Sequence, residues 1–288
     1  MGVRFECLYL RPDGGLPSGV LHQDTPAGWW RVLSLGEGGS AWYRAEHKAK
    51  EWKTVFHLGR RKLALSNLPD DVSRFPAGNR VRSLFKRGVQ RLALHPASMS
   101  KPCSPLMGGG FLPDGSNVPL VAKDLEDRDP VRHAAWVDHL REALPDVRTV
   151  RSVEREEDRR VYLKLRYAGG FELPAWRLSE GTLRLLALTL IPFISEKDAL
   201  FLIEEPENGV HPQAVEAMYQ AFRLSDRAQT LVASHSPVFV GIVQPEDLLC
   251  FTKEGGATSV VPGPKHPALR NWRQEVDLGT LFAGRVLE

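Results

Sequence analysis

Two adjacent glutamates, Glu204 and Glu205, close the apolar run in LFLIEEPENGVHP, residues 200–212, and Glu207, Asn208 and His211 follow closely. A carboxylate at the rim of a core strand is costly unless a cation meets it, because its lost hydration must be replaced by a partner. The pattern therefore predicts either a metal or an arginine at this place. A second apolar run, TLVA, opens thirty residues after Glu205 into Ser234, His235, Ser236 and Pro237. Twenty-six residues before Glu205 stands Ser179, within the small polar turn Leu178-Ser179-Glu180-Gly181-Thr182 that precedes a long apolar stretch.

Each of these features has a plain structural role when taken alone. A Ser-Glu-Gly turn ahead of a helix is an N-cap, and a histidine between serines is a loop residue with its hydrogen bonds satisfied. A capped helix N-terminus also offers unpaired N–H groups and the positive end of a dipole, which suit a phosphate. Ligands of open parallel sheets gather beyond the carboxyl ends of the strands. Strands at 199–203 and 230–233, with helices before and between them, would carry Ser179, Glu205 and His235 to one such edge.

The elements needed to do this are legible after Arg177. An almost wholly apolar helix (LRLLALTLIPFI), an apolar strand (ALFLI), an amphipathic helix with Val215, Met218 and Phe222 on one face, and a strand (TLVA) follow in turn. This alternation predicts an α/β fold with a mostly parallel central sheet, drawn from the C-terminal half and covered on both faces. From Val3 to about Leu58, short apolar or aromatic runs alternate with Gly, Pro and Asp clusters, which predicts antiparallel strands and hairpins. Residues 96–119 read as a Pro/Gly/Ser-rich loop, a helix follows around 134–143, and strands return at 147–153, 160–167 and 171–175. Three segments result: an N-terminal β portion over 1–58, a helical and basic insertion over 59–146, and a core over 147–288.

Composition sets wide bounds. With 288 residues, 42% of them hydrophobic, the chain can bury a sizeable core. A net charge of +3 makes no bulk case for nucleic acid. Charge is segregated only between Arg60 and Arg91, where nine basic residues face Asp70 and Asp71. That segment is either a solvated surface or a patch for phosphates or a partner, with Arg80, Arg82, Lys86 and Arg87 as its candidate contacts. Cys7, Cys103 and Cys250 form no CxxC pair, so a reducing cytoplasm is expected. The most apolar helical stretch is far shorter than the roughly twenty residues a bilayer needs, and the N-terminus shows no secretory signal.

LSEGTLR, LFLIEEPENGVHP and ASHSP together resemble the signature motif, the Walker B strand with its D-loop, and the switch histidine of SMC/RecF-like ABC-type ATPases. More narrowly they are similar to the AAA-type ATPases of bacterial defence and genome-maintenance systems. The resemblance covers 178–243 closely and extends faintly to 114–117 and 278–281. It implies a P-loop NTPase head with ATP and Mg²⁺ as cofactors, Glu204 holding the metal through water and Glu205 polarising the attacking water. It further implies that His235 senses the γ-phosphate, that Ser179 and Gly181 bind the nucleotide of another subunit, and that Arg184 lies near the phosphates. Asn208 to His211 would form the D-loop at the dimer seam, and Glu207 has no role beyond surface hydrogen bonding. The implied partners are a second head, as homodimer or heterodimer across the ATP interface, a nucleic acid such as DNA, and a separate effector protein, in phage defence or DNA repair.

One element of the pattern is absent: GxxxxGK[ST], the P-loop, requires a Gly-Lys dipeptide, and the sequence contains none. Gly15 to Gly19 and Gly263-Pro264-Lys265-His266 do not supply it. Two readings stay open. A P-loop segment ahead of Met1 would explain why Glu204, Glu205 and His235 are kept; alternatively the chain is a non-catalytic half-site or scaffold subunit that supplies signature and D-loop to a partner. A nuclease would have to be a separate protein, since the fifty-odd residues after His235 read as two strands and a short helix.

Overall fold

The computed structural model describes residues 6–10, 29–36, 38–46, 55–59, 61–107, 110–194, 199–225, 228–270, 272 and 276–287. The chain divides into two compact units, residues 1–88 and 89–288. The expected 59–146 segment falls on both sides of that division.

In the first unit, β1 (Glu6–Leu10), β2 (Trp30–Leu35), β3 (Ser40–Tyr43) and β4 (Val55–His57) form an antiparallel sheet in sequence order. Leu33, Leu35, Ala41, Tyr43, Ala64, Leu68 and Phe75 make its core. Two glutamates organise the backbone around it. Glu6 accepts hydrogen bonds from the Ala64 and Leu65 amides at 2.6 and 2.9 Å, and Glu46 accepts from Ala77 and Gly78 at 2.8 and 2.7 Å. The second pair caps the otherwise unpaired amides at the start of α1 (Pro76–Ser83). The glycine cluster at 15–19 lies outside the described residues.

The second unit opens with β5 (Val89–Leu92), α2 (Pro96–Met99), α3 (Val118–Arg128) and α4 (Pro130–Ala143). Then come the antiparallel strands β6 (Val147–Glu154), β7 (Val161–Tyr167) and β8 (Glu172–Pro174), followed by α5 (Glu180–Ile194), β9 (Ala199–Glu204), α6 (Pro212–Arg223) and β10 (Ala228–Ala233). The chain ends with α7 (Pro237–Ile242), the hairpin β11 (Leu249–Glu254) and β12 (Ala257–Pro262), and α8 (Leu278–Ala283). The core is built around α5, whose residues 185–191 are at most 2% exposed, with Trp136 donating to the Thr189 hydroxyl at 3.1 Å. A fully buried indole N–H needs such a partner.

The fold is α/β, and its central sheet is wholly parallel, in the order β10-β9-β5. One expectation about this sheet is corrected. Its third strand, β5, comes not from the C-terminal half but from the end of the basic segment. VQRL is too short and too polar to announce a sheet strand. Leu92, Phe201, Ile203 and Val232 turn into the core, while Arg91, Glu204, Gln229 and Leu231 on the alternate face are exposed. Among the described residues no helix is long and apolar enough to cross a membrane.

Candidate functional site

The backbone that leaves β9 is held in an unusual conformation. Glu205 has φ +47°, in the left-handed region that a non-glycine residue seldom occupies, yet its amide still bonds to the Ala233 carbonyl at 2.8 Å as though the sheet continued. That turn swings the Glu205 side chain toward the end of β10. There Oε1 meets His235 Nδ1 at 3.0 Å, and Oε2 accepts from the Asn208 amide group. The Asn208 backbone N–H also returns to the Glu205 carbonyl at 3.1 Å.

Glu204 finds its cation within the chain. Arg91, at the corresponding end of β5, places Nη2 at 3.1 and 3.2 Å from the two carboxylate oxygens. Of the two partners predicted for this place, the structure supplies the arginine. Both side chains are about two-thirds exposed, so the pair is weak and open to exchange.

Glu207 does more than hydrogen-bond to water. It accepts from the Ser234 hydroxyl, whose oxygen in turn accepts from the Ser236 amide at 3.0 Å, and its second carboxylate oxygen is buried without a partner among the described residues. This contact ties the turn after β9 to both sides of His235. Behind the same loop, Gly279 lies so close to the Pro237 carbonyl that a Cβ there would sit 2.2 Å from it. Asp277 caps this helix, accepting from the Thr280 amide at 2.9 Å. Arg91, Ser234 and Gly279 fall within the motifs and segments of the sequence reading but receive no individual role there. The glycine between Leu278 and Thr280 is a usable signal of close approach, whereas nothing local marks Arg91.

A second cluster forms around the turn at residues 178–182. The Ser179 hydroxyl accepts from the Thr182 amide at 3.1 Å and contacts the Thr182 hydroxyl at 2.8 Å, so it is the N-cap of α5. Gly181 packs directly on the 205–211 turn of its own chain: a Cβ there would sit 2.3 Å from the Gly209 carbonyl. Gly209 itself has φ +75° and lies beside Arg184. His211 caps α6, its Nδ1 accepting from the Gln213 amide at 3.3 Å. Ser179, Gly181, Thr182, Gly209 and His211 line an open cleft of about 360 Å³. One seven-residue turn, 205–211, thus joins the two clusters.

Of the basic residues proposed as a patch, Arg82 is bound to the Leu68 carbonyl, Asn79 and Asp70. Arg80 and Lys86 are exposed, and the Arg87 side chain lies outside what is described. Gly263-Pro264-Lys265 forms a tight turn with Gly263 buried against the Pro245 carbonyl.

Among the described residues no three His, Cys, Asp or Glu side chains cluster as a self-sufficient metal site. Magnesium does not need one, because it binds through one or two carboxylates together with phosphates and water. Two adjacent carboxylates, one held only by an exposed arginine, fit that requirement.

The sequence model of one protein family, described as "AAA domain, putative AbiEii toxin, Type IV TA system", matches residues 44–241. No curated protein matches the chain. Among solved structures, an SmcHead bound to the C-winged helix domain of ScpA is similar with a TM-score of 0.47 at 14% identity, over 82% of this chain and 69% of that one. An Smc head domain with a coiled coil and joint derived from Pyrococcus yayanosii gives 0.38 at 16%, over 61% of this chain and 34% of that one. A chain from a study of ATP-driven dimerization and DNA-stimulated activation of SMC ATPases gives 0.39 at 13%, over 58% and 94%. The present chain therefore spans about a third of the Pyrococcus chain.

Proposed function

The chain belongs to the AAA domain family of that description, and from this premise we propose that it is an ABC-type ATPase subunit that dimerises around ATP and couples closure to a nucleic acid or an effector protein. The observation that carries the reading is the Glu205–His235 contact at the carboxyl end of the parallel sheet, with Glu204 beside it. A base needs an orienting partner and a place beyond the strands where a phosphate can sit.

In this reading Glu205 accepts hydrogen bonds from the attacking water and draws its proton, while His235 and Asn208 hold the carboxylate in place. With Nδ1 engaged by Glu205, the exposed Nε2 of His235 is the ring atom left to face a phosphate oxygen. Glu204 would bind Mg²⁺ after releasing Arg91; the ion, when bound, neutralises charge on the phosphates. Across the dimer, the first amides of α5 and the Ser179 hydroxyl donate to the nucleotide of the partner, with Arg184 adding positive charge. A bacterial defence or repair setting follows from the resemblance of the motifs, and a cytoplasmic location from the three cysteines that form no CxxC pair.

The experiment is the size distribution of the protein in its native assembly, with and without Mg-ATP, for the wild type and Glu205→Gln. Accumulation of an ATP-dependent dimer in the variant is expected; a variant that stays ATP-independent under all conditions removes the catalytic reading. A second reading, the non-catalytic subunit that supplies signature and D-loop, is favoured by one observation. Arg91 already satisfies Glu204, as it would in a site that never takes a metal. Under that reading Glu205→Gln leaves function unchanged.

A further inference from the structure

The outer face of the antiparallel β6-β7-β8 sheet carries charge and aromatic surface that the nucleotide site does not use. Val150, Val161, Leu163 and Leu165 are buried on its inner face. Alternation turns Thr149, Arg151 and Val153 of β6, and Tyr162, Lys164 and Arg166 of β7, to the other side. The register sets Arg151 opposite Lys164, Thr149 opposite Arg166 and Val153 opposite Tyr162, so three cations share two neighbouring rungs and an aromatic ring stands on the next. Just beyond β8, Trp176 leans on Tyr162 with ring centroids 4.9 Å apart and keeps 51% of its surface exposed.

Opposing charge on this face is small. Glu172, opposite Arg166, ion-pairs with Lys164 at 2.9 Å, and no ion pair among the described residues takes up Arg151 or Arg166. At the hairpin tip, Arg155, Arg159 and Arg160 are matched by Glu154, Glu157 and Asp158. The unmatched positive charge thus lies along the strands, next to the aromatic ledge.

We propose that this face binds single-stranded nucleic acid, its phosphates on Arg151, Lys164 and Arg166 and a base stacked on Trp176. Lys164 and Arg166 stand roughly 7 Å apart along one strand, so an extended backbone can touch them in succession. Charge complementarity selects a polyanion, and the exposed indole selects one with free bases. A duplex keeps its bases stacked internally, and an acidic protein surface has no use for the ledge. The inference needs no nucleotide and stands apart from the ATPase reading.

The test is fluorescence anisotropy of labelled oligothymidine and oligouridine, about 15 nucleotides long, against the full chain without ATP at several salt concentrations. The two arms distinguish DNA from RNA. Removing two phosphate contacts with Arg151→Gln and Arg166→Gln is expected to lower the slope of log K against log salt by about 1.4. Trp176→Ala is expected to weaken binding roughly 5- to 150-fold with the slope unchanged, and Trp176→Phe to restore most of it. Arg151 and Arg166 lie on the sheet face and Trp176 is half exposed just beyond β8, and circular dichroism melts confirm that the variants fold. The proposal is overturned if the charge variants bind like the wild type, if a duplex of the same sequence binds as tightly as the single strand, or if an abasic oligonucleotide binds equally well.

Discussion

Glu205 Oε1 lies 3.0 Å from His235 Nδ1, a contact between the ends of two neighbouring parallel strands that depends on Glu205 adopting a left-handed backbone conformation. Such a conformation costs a non-glycine residue about 1–3 kcal/mol and survives where the surroundings enforce it. Glu205→Gly is therefore expected to raise stability by about 1 kcal/mol while abolishing any hydrolysis by the native assembly. Denaturant unfolding of the variant, run beside an ATPase assay, reads both; a variant that is less stable than the wild type contradicts the strain argument.

Arg91→Gln separates the two functional readings. The Arg91–Glu204 pair is exposed, so its loss is expected to shift stability by less than about 1 kcal/mol. In a catalytic subunit the freed carboxylate lowers the Mg²⁺ concentration needed for ATP-dependent dimerisation. Magnesium titrations that do not move with the substitution favour the non-catalytic subunit.

Gly181→Ala tests the seam between the turn before α5 and the 205–211 turn. A methyl group there would collide with the backbone carbonyl of Gly209 at 2.3 Å, and backbone cannot rotate away as a side chain can. Overpacking of this kind is expected to cost about 1–3 kcal/mol and to displace the Gly209 turn. Thermal unfolding measures the cost, and an alanine variant as stable as the wild type shows that the seam is slack.

Ser234→Ala leaves Glu207 without its described partner, with its other oxygen already buried and unpaired among the described residues. The expected loss is about 1–3 kcal/mol, the usual penalty for an unsatisfied buried group. Ser234→Thr keeps the hydroxyl and is expected to recover most of it. Equal unfolding midpoints for the alanine variant and the wild type would show that the latch does not hold the loop.

Tyr43 predicts alkaline behaviour of the N-terminal unit. Burial, reinforced by the nearby Glu6 charge, pushes its phenol up from 10.0 to about 12, and the hydroxyl donates to the Ala64 carbonyl at 3.0 Å. The folded state holds this proton more tightly than the unfolded chain. Its contribution is thus complete below pH 10 and is lost as pH rises toward 12. Unfolding free energies measured across that window should fall more steeply for the wild type than for Tyr43→Phe.

Most of the helices and strands after Arg177 were readable because their signals are short-range. A helical period, a continuous apolar strand and a turn of Ser, Glu and Gly each declare themselves within a dozen residues, and the structure puts α5, β9, α6 and β10 where those signals stand. The demand for a cation at Glu204 was equally readable, since it follows from the chemistry of a carboxylate beside a core strand. Which cation meets it was not. Arg91 is 113 residues away in sequence, and it reaches Glu204 only because β5 pairs in parallel with β9 in a register that brings their carboxyl ends together. The same holds for the cationic, aromatic face of β6-β7-β8. Composition cannot tell which side of a strand will be covered. Side-chain type and spacing are written along the chain, whereas strand order, register and burial are set by long-range pairing, and at this site they decide which charges meet.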